Sequence, residues 1–166
     1  MTLRIALAAS LILAALLAGS GPAAAQERGP LPTKLYASAA EVEQLTAKAK
    51  AEHKGDNTNT VEILANVGPY PVQLEYRTGT TAPSVHIAQA ELIYVIDGGC
   101  TLITGGTLVD AKTNGGNMSG TSITGGTPQK VSKGDYILVP PGTPHWYTDV
   151  RGVFISAALH MPMTAK

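Results

Sequence analysis

The stretch Gly134–Asp149, GDYILVPPGTPHWYTD, decides the reading of this chain. It sets Gly134, Pro140, Gly142, His145 and Asp149 at the intervals G-x5-P-x-G-x2-H-x3-D. Gly134 opens a strand after a turn, and Pro140, Pro141 and Gly142 make a sharp corner into the next strand. Side chains alternate along that next strand, so His145 and Tyr147 share one face while Trp146 takes the other. If the shared face is the inner one, His145 is a candidate ligand.

Upstream, Pro83–Glu91, PSVHIAQAE, carries His86 and Glu91 just before the strand-like run Leu92–Ile96. Other runs also alternate with a period of two. Val61, Ile63, Ala65 and Val67 share a face. Val72, Leu74 and Tyr76 alternate with Gln73, Glu75 and Arg77, which predicts a half-buried strand. Further strands are expected at Thr101–Thr104, Tyr136–Val139, His145–Thr148 and Val153–Leu159. Short strands between Gly/Pro turns at regular spacing make the class all-β, a sandwich or small barrel. A single helix precedes them over about Ala39–Lys54, capped by Ser38 with Glu41 three residues on. Val42, Leu45, Ala49 and His53 form its stripe, which makes His53 a helix-end residue.

The spacing of Gly134–Asp149 resembles the second motif of the cupin family, with Asp149 where that motif has Asn. The first cupin motif, G-x5-H-x-H-x3–4-E-x6-G, is matched in part. Glu91 and Gly98 fall on its Glu and final Gly, His86 on its second His, and Ser84 stands where its first His belongs. The resemblance implies an antiparallel jelly-roll barrel, a double-stranded β-helix, over residues 59–166. It also implies a divalent metal held by His86, Glu91 and His145. Two imidazoles and a carboxylate suit Fe, Mn, Ni or Zn without choosing among them. Ser84, Tyr147, Leu138 and Val95 would line the pocket, with Val139 and Phe154 nearby and Asp149 or Tyr94 able to assist. His160, near the end of the last strand, could replace the missing ligand, although a lone histidine there is ordinarily exposed or hydrogen-bonded.

Two functions follow from the resemblance. One is a metal-dependent enzyme acting on a small organic molecule as a dioxygenase, decarboxylase or isomerase. The other is a metal-free pocket that binds a small ligand without catalysis. Nothing suggests a nucleotide cofactor. Family resemblance and the need to cover sheet edges imply a homodimer.

Residues 105–127 are rich in Gly, Thr, Ser and Asn, and TGGT occurs twice. This predicts a long flexible loop, a possible lid, between strand ends at Thr107–Val109 and Thr121–Ile123. Asn117-Met118-Ser119 fits a glycosylation sequon, which means little in a bacterial host.

The N-terminus reads as a secretory signal peptide over residues 1–25. A basic start at Arg4, an apolar run Ile5–Leu17 and Ala23-Ala24-Ala25 place the cleavage between Ala25 and Gln26. Residues 26–58 then form a polar leader and the helix. Cleavage removes one of twelve basic residues and no acidic one, leaving a formal charge of −1. The mature chain is expected to be exported, periplasmic or secreted, and not membrane-bound. Its near-zero charge offers no footprint for nucleic acid. Cys100, the sole cysteine, excludes an internal disulfide and reads as a small core residue.

Overall fold

The computed structural model describes residues 32–55 and 58–163. The signal segment 1–25, its cleavage site at Ala25 and Gln26, and residues Asp56 and Asn57 lie outside the described residues.

Helix α1 spans Ala39–Glu52, and the Ser38 hydroxyl accepts the Glu41 N–H at 3.2 Å, the expected cap. The strands follow in order: β1 Asn59–Val67, β2 Tyr70–Arg77, β3 Ser84–His86, β4 Gln89–Thr104, β5 Thr107–Val109, β6 Lys112–Asn114, β7 Asn117–Ser119, β8 Ser122–Thr124, β9 Thr127–Ser132, β10 Tyr136–Val139, β11 His145–Thr148 and β12 Phe154–Pro162. All pairings are antiparallel.

Two strands were expected where β4 runs unbroken for 16 residues. Its first half pairs with β12 and β10, its second half with β11 and β9. Gly98 and Gly99 bend the strand between the two sheets instead of ending it. Gly98 has φ +77°, and a side chain there would collide with the Val153 carbonyl. One sheet is therefore β1-β2-β12-β4-β10, and the other is β9-β4-β11-β3-β7-β6. This is the jelly-roll, double-stranded β-helix arrangement.

Between the sheets lies a core of Ile93, Val95, Cys100, Leu102, Val131, Val139, Tyr147, Phe154 and Ala158. A second cluster, Ala49, Leu64, Leu74, Tyr76 and Ile155, joins α1 to the outer face of the first sheet. The helix thus covers what the alternation in β2 implied would be the core side. Consequently β2 is not half-buried: Glu75 and Arg77, on its other face, are as buried as Leu74 and Tyr76. In β1 the buried residues are Glu62, Leu64 and Asn66, while Val61 and Val67 are exposed. The leader is tied down at Lys34, which pairs with Asn66.

The expected flexible loop is two hairpins. β5 pairs with β8 and β6 with β7, and β7 adds to the edge of β3. Backbone pairing needs no apolar side chains, so a Gly/Thr/Ser/Asn composition does not prevent it.

Candidate metal centre

Three of the four histidines converge on one carboxylate. Each comes from a different strand, and pairing registers set their places. His160 in β12 lies opposite Glu91 in β4, and His145 in β11 lies opposite Ser84 in β3. In β12 the inward residues alternate from Phe154 through Ser156 and Ala158, which carries His160 inward as well.

Glu91 Oε2 is 3.2 Å from His145 Nε2 and 3.6 Å from His86 Nε2, and Glu91 Oε1 is 3.7 Å from His160 Nε2. The Nε2 atoms of His86 and His160 are 3.1 Å apart. Ligand atoms of His86, Glu91 and His160 all lie within 4.8 Å of one another, the compactness a bound ion requires. His145 shares the cavity and approaches the same carboxylate. The fourth histidine, His53, stands apart at the end of α1, bonded to Thr60 and Thr78 as befits a helix-end residue.

The far side of each ring sets its tautomer. His86 Nδ1 is 2.7 Å from Asn117 Oδ1, and His145 Nδ1 is 3.3 Å from the Thr143 carbonyl. Both oxygens accept, so each Nδ1 carries the proton and each Nε2 turns a lone pair inward. Ser84 Oγ, 2.9 Å away, donates to His145 Nε2. Glu91 is 2% exposed, and its Oε2 has no hydrogen-bond partner among the described residues. Lone pairs facing a buried carboxylate repel unless a positive charge lies among them. Three imidazoles and one carboxylate are a fitting donor set for a first-row dication. Burial lowers the pKa of His160, keeping it neutral and able to ligate.

The cluster opens on a polar cavity of about 330 Å³ that also includes Thr58, Asn59, Glu75, Arg77, Thr81 and Tyr147 in its wall. Arg77 Nη1 bonds Glu75 Oε2 at 2.6 Å, and the guanidinium lies 4.1 Å over the Tyr147 ring. A larger cavity of about 640 Å³ lies between α1 and the outer sheet face. Its lining is chiefly apolar and includes no histidine, so the chemistry belongs to the smaller cavity.

Of the residues expected to line the pocket, Ser84 and Tyr147 do so. Val95 does not: it is fully buried in the packed core, as are Val139 and Phe154. Leu138 is 61% exposed on the outside of the barrel, because alternation in β10 turns Ile137 and Val139 inward instead. Tyr94 is likewise outside, stacked on Tyr136. Asp149, directly after β11, has φ +50°, a conformation Asn and Asp tolerate best, which accounts for either residue at that motif position. Sequence reasoning missed Asn117, whose sequon reading hid it, and the Glu75–Arg77 pair, whose polar alternation read as solvent-facing.

No family model matches the chain, and no curated protein does. Solved structures do resemble it. An uncharacterized conserved protein with a double-stranded β-helix domain from Klebsiella pneumoniae aligns at TM-score 0.50 and 16% identity, over 75% of this chain and 90% of that one. KdgF from Halomonas sp. aligns at TM-score 0.48 and 14% identity, over 68% and 87% of the two chains. The Fe(II) form of HppE aligns at 0.49 and 12%, over 65% and 53%. At 16% identity the likeness to the Klebsiella protein is one of fold alone: the chain has a double-stranded β-helix.

Proposed function

We propose that this chain binds a divalent metal through His86, Glu91, His160 and His145 and acts on a small organic molecule in the adjoining polar cavity. The observation that carries this reading is the buried Glu91 Oε2, without a hydrogen-bond partner among the described residues and faced by the Nε2 atoms of His145 and His86 at 3.2 and 3.6 Å. His160 takes the place that Ser84 leaves vacant in the motif, restoring three histidines and one carboxylate. The residues supply donors common to Fe, Mn, Ni and Zn. A dication there would polarise a substrate oxygen as a Lewis acid. Around it, Asn117 and Thr143 hold two rings in the ligating tautomer, and barrel walls restrict water.

Elemental analysis of protein purified without chelator or affinity metal tests this reading. Near-stoichiometric metal that is lost in Glu91→Gln supports it; no metal after anaerobic reconstitution refutes it.

One observation favours the metal-free alternative. The Ser84 hydroxyl occupies the His145 Nε2 lone pair, a bond that suits a pocket holding only an organic ligand. Ser84→Ala separates the two: metal affinity rises if Ser84 competes with the ion, and ligand affinity alone changes if no ion binds.

Export by the segment 1–25 and a periplasmic or secreted location are part of the proposal. So is a homodimer, supported by an exposed apolar stripe of Leu92, Tyr94, Tyr136 and Leu138 on the outer face of β4 and β10. The N-terminal sequence of the exported protein and its mass in solution check both.

A further inference from the structure

We infer that the cavity takes a small monocarboxylate, its carboxylate group received by Tyr147 and Arg77 beside the metal cluster. This rests on the cavity being a ligand site, as proposed above, though not on which ion it holds.

The argument starts from atoms left without partners. Tyr147 is 3% exposed and Arg77 6%, yet among the described residues the Tyr147 hydroxyl and Arg77 Nε have no hydrogen-bond partner. Both side chains line the same cavity as Glu91 and the three histidines. Leaving a buried donor unsatisfied costs about 1–3 kcal/mol, and more when it is charged. Two such donors in one wall therefore mark a place shaped for acceptor atoms. Arg77 Nη1 is already engaged by Glu75, and the guanidinium lies over the Tyr147 ring, which leaves Nε the Arg77 donor still to be satisfied.

Charge selects among acceptors. Arg77 and Glu75 neutralise each other, and the Ser156 hydroxyl adds a bond to Glu75 at 3.4 Å. A dication on Glu91 leaves one positive charge, and the remaining lining residues are neutral: Thr58, Asn59, Thr81, Ala82, Ser84 and the imidazoles. A single carboxylate balances that charge and supplies oxygens to both donors, whereas a neutral amide supplies one carbonyl oxygen and no charge. A tyrosine hydroxyl carries its proton at neutral pH and so can donate to an incoming oxygen. A cavity of about 330 Å³ limits the occupant to a small acid.

The test is calorimetric titration of the zinc-loaded chain with L-lactate and with lactamide, its neutral amide, with zinc content measured on the same sample. Lactate is expected to bind at least about ten-fold more tightly than lactamide, and Tyr147→Phe to weaken lactate about ten-fold while lactamide changes little. The variant keeps the ring under Arg77, and its melting temperature shows whether the fold is intact. Should it not fold, the lactate-to-lactamide ratio on the unchanged chain decides. Equal affinity for the two probes, or no binding of either, overturns the assignment. If zinc is not retained but lactate still binds in a Tyr147-dependent way, the carboxylate site stands and the metal reading falls. If zinc is retained and the probes bind alike, the reverse holds.

Discussion

His160 Nε2 stands 3.1 Å from His86 Nε2, although 74 residues separate them in the chain. The pairing of β12 with β4 makes this contact by placing His160 opposite Glu91. His160→Ala should therefore remove as much bound metal as His86→Ala. Both variants are expected to retain less than about a tenth of the ion after dialysis, since losing one of few ligands costs well over 1.4 kcal/mol. Elemental analysis checks this, and full retention in His160→Ala would return the site to a three-residue set.

Asn117 reaches His86 from the tip of the β6–β7 hairpin, with Oδ1 at 2.7 Å from Nδ1. Loss of such an orienting partner lowers metal affinity by about 10–100-fold. Asn117→Ala should fall in that range and Asn117→Asp, which keeps the acceptor, should stay near the parent. Competition with a chromogenic chelator gives both numbers.

Gly98 and Gly142 both have positive φ, at +77° and +70°. Only Gly98 has backbone where a side chain would go; nothing lies within 4 Å of a Cβ at Gly142. Gly142→Ala should cost about 1–2 kcal/mol, the strain of the left-handed conformation alone. Gly98→Ala should cost more than about 3 kcal/mol, because β4 cannot bend there without displacing Val153. Urea unfolding of the two variants compares them.

Cys100 lies in the core, and burial pushes its thiol up to about 11. The native thiol should resist a disulfide reagent at pH 8 and react fully in guanidinium. The sign of the linked effect follows from the raised value. Below about 8.5 the thiol is protonated in both folded and unfolded chains, and its burial carries no penalty. From there to about 11 the unfolded chain loses the proton first, so stability falls with rising pH by up to about 1.4 kcal/mol per unit. Cys100→Ala should flatten that slope, as read from denaturation midpoints between pH 8 and 11.

Much of the barrel was legible because its signals are local. The corner at Pro140–Gly142 and the alternation after it put His145 and Tyr147 on one inner face, where both are found. Ser38 capped the helix as read. Errors arose where a residue's surroundings come from distant chain. Leu138 looked like a pocket residue, and Glu75 and Arg77 looked exposed, because apolar was equated with inside. In this molecule α1 covers the outside of β2 and the barrel interior is partly polar, so the equation reverses there.

What the sequence determined by itself is what needs only neighbours along the chain: strand and turn positions, the helix cap, the motif corner, and His86, Glu91 and His145 as candidate ligands. What only the tertiary structure decided is membership of the site. His160 and Arg77 reach Glu91 or its cavity, and Asn117 reaches His86, through strand pairings between segments far apart in sequence. A one-residue change of register would turn each of those side chains to the opposite face, and no local pattern carries that information.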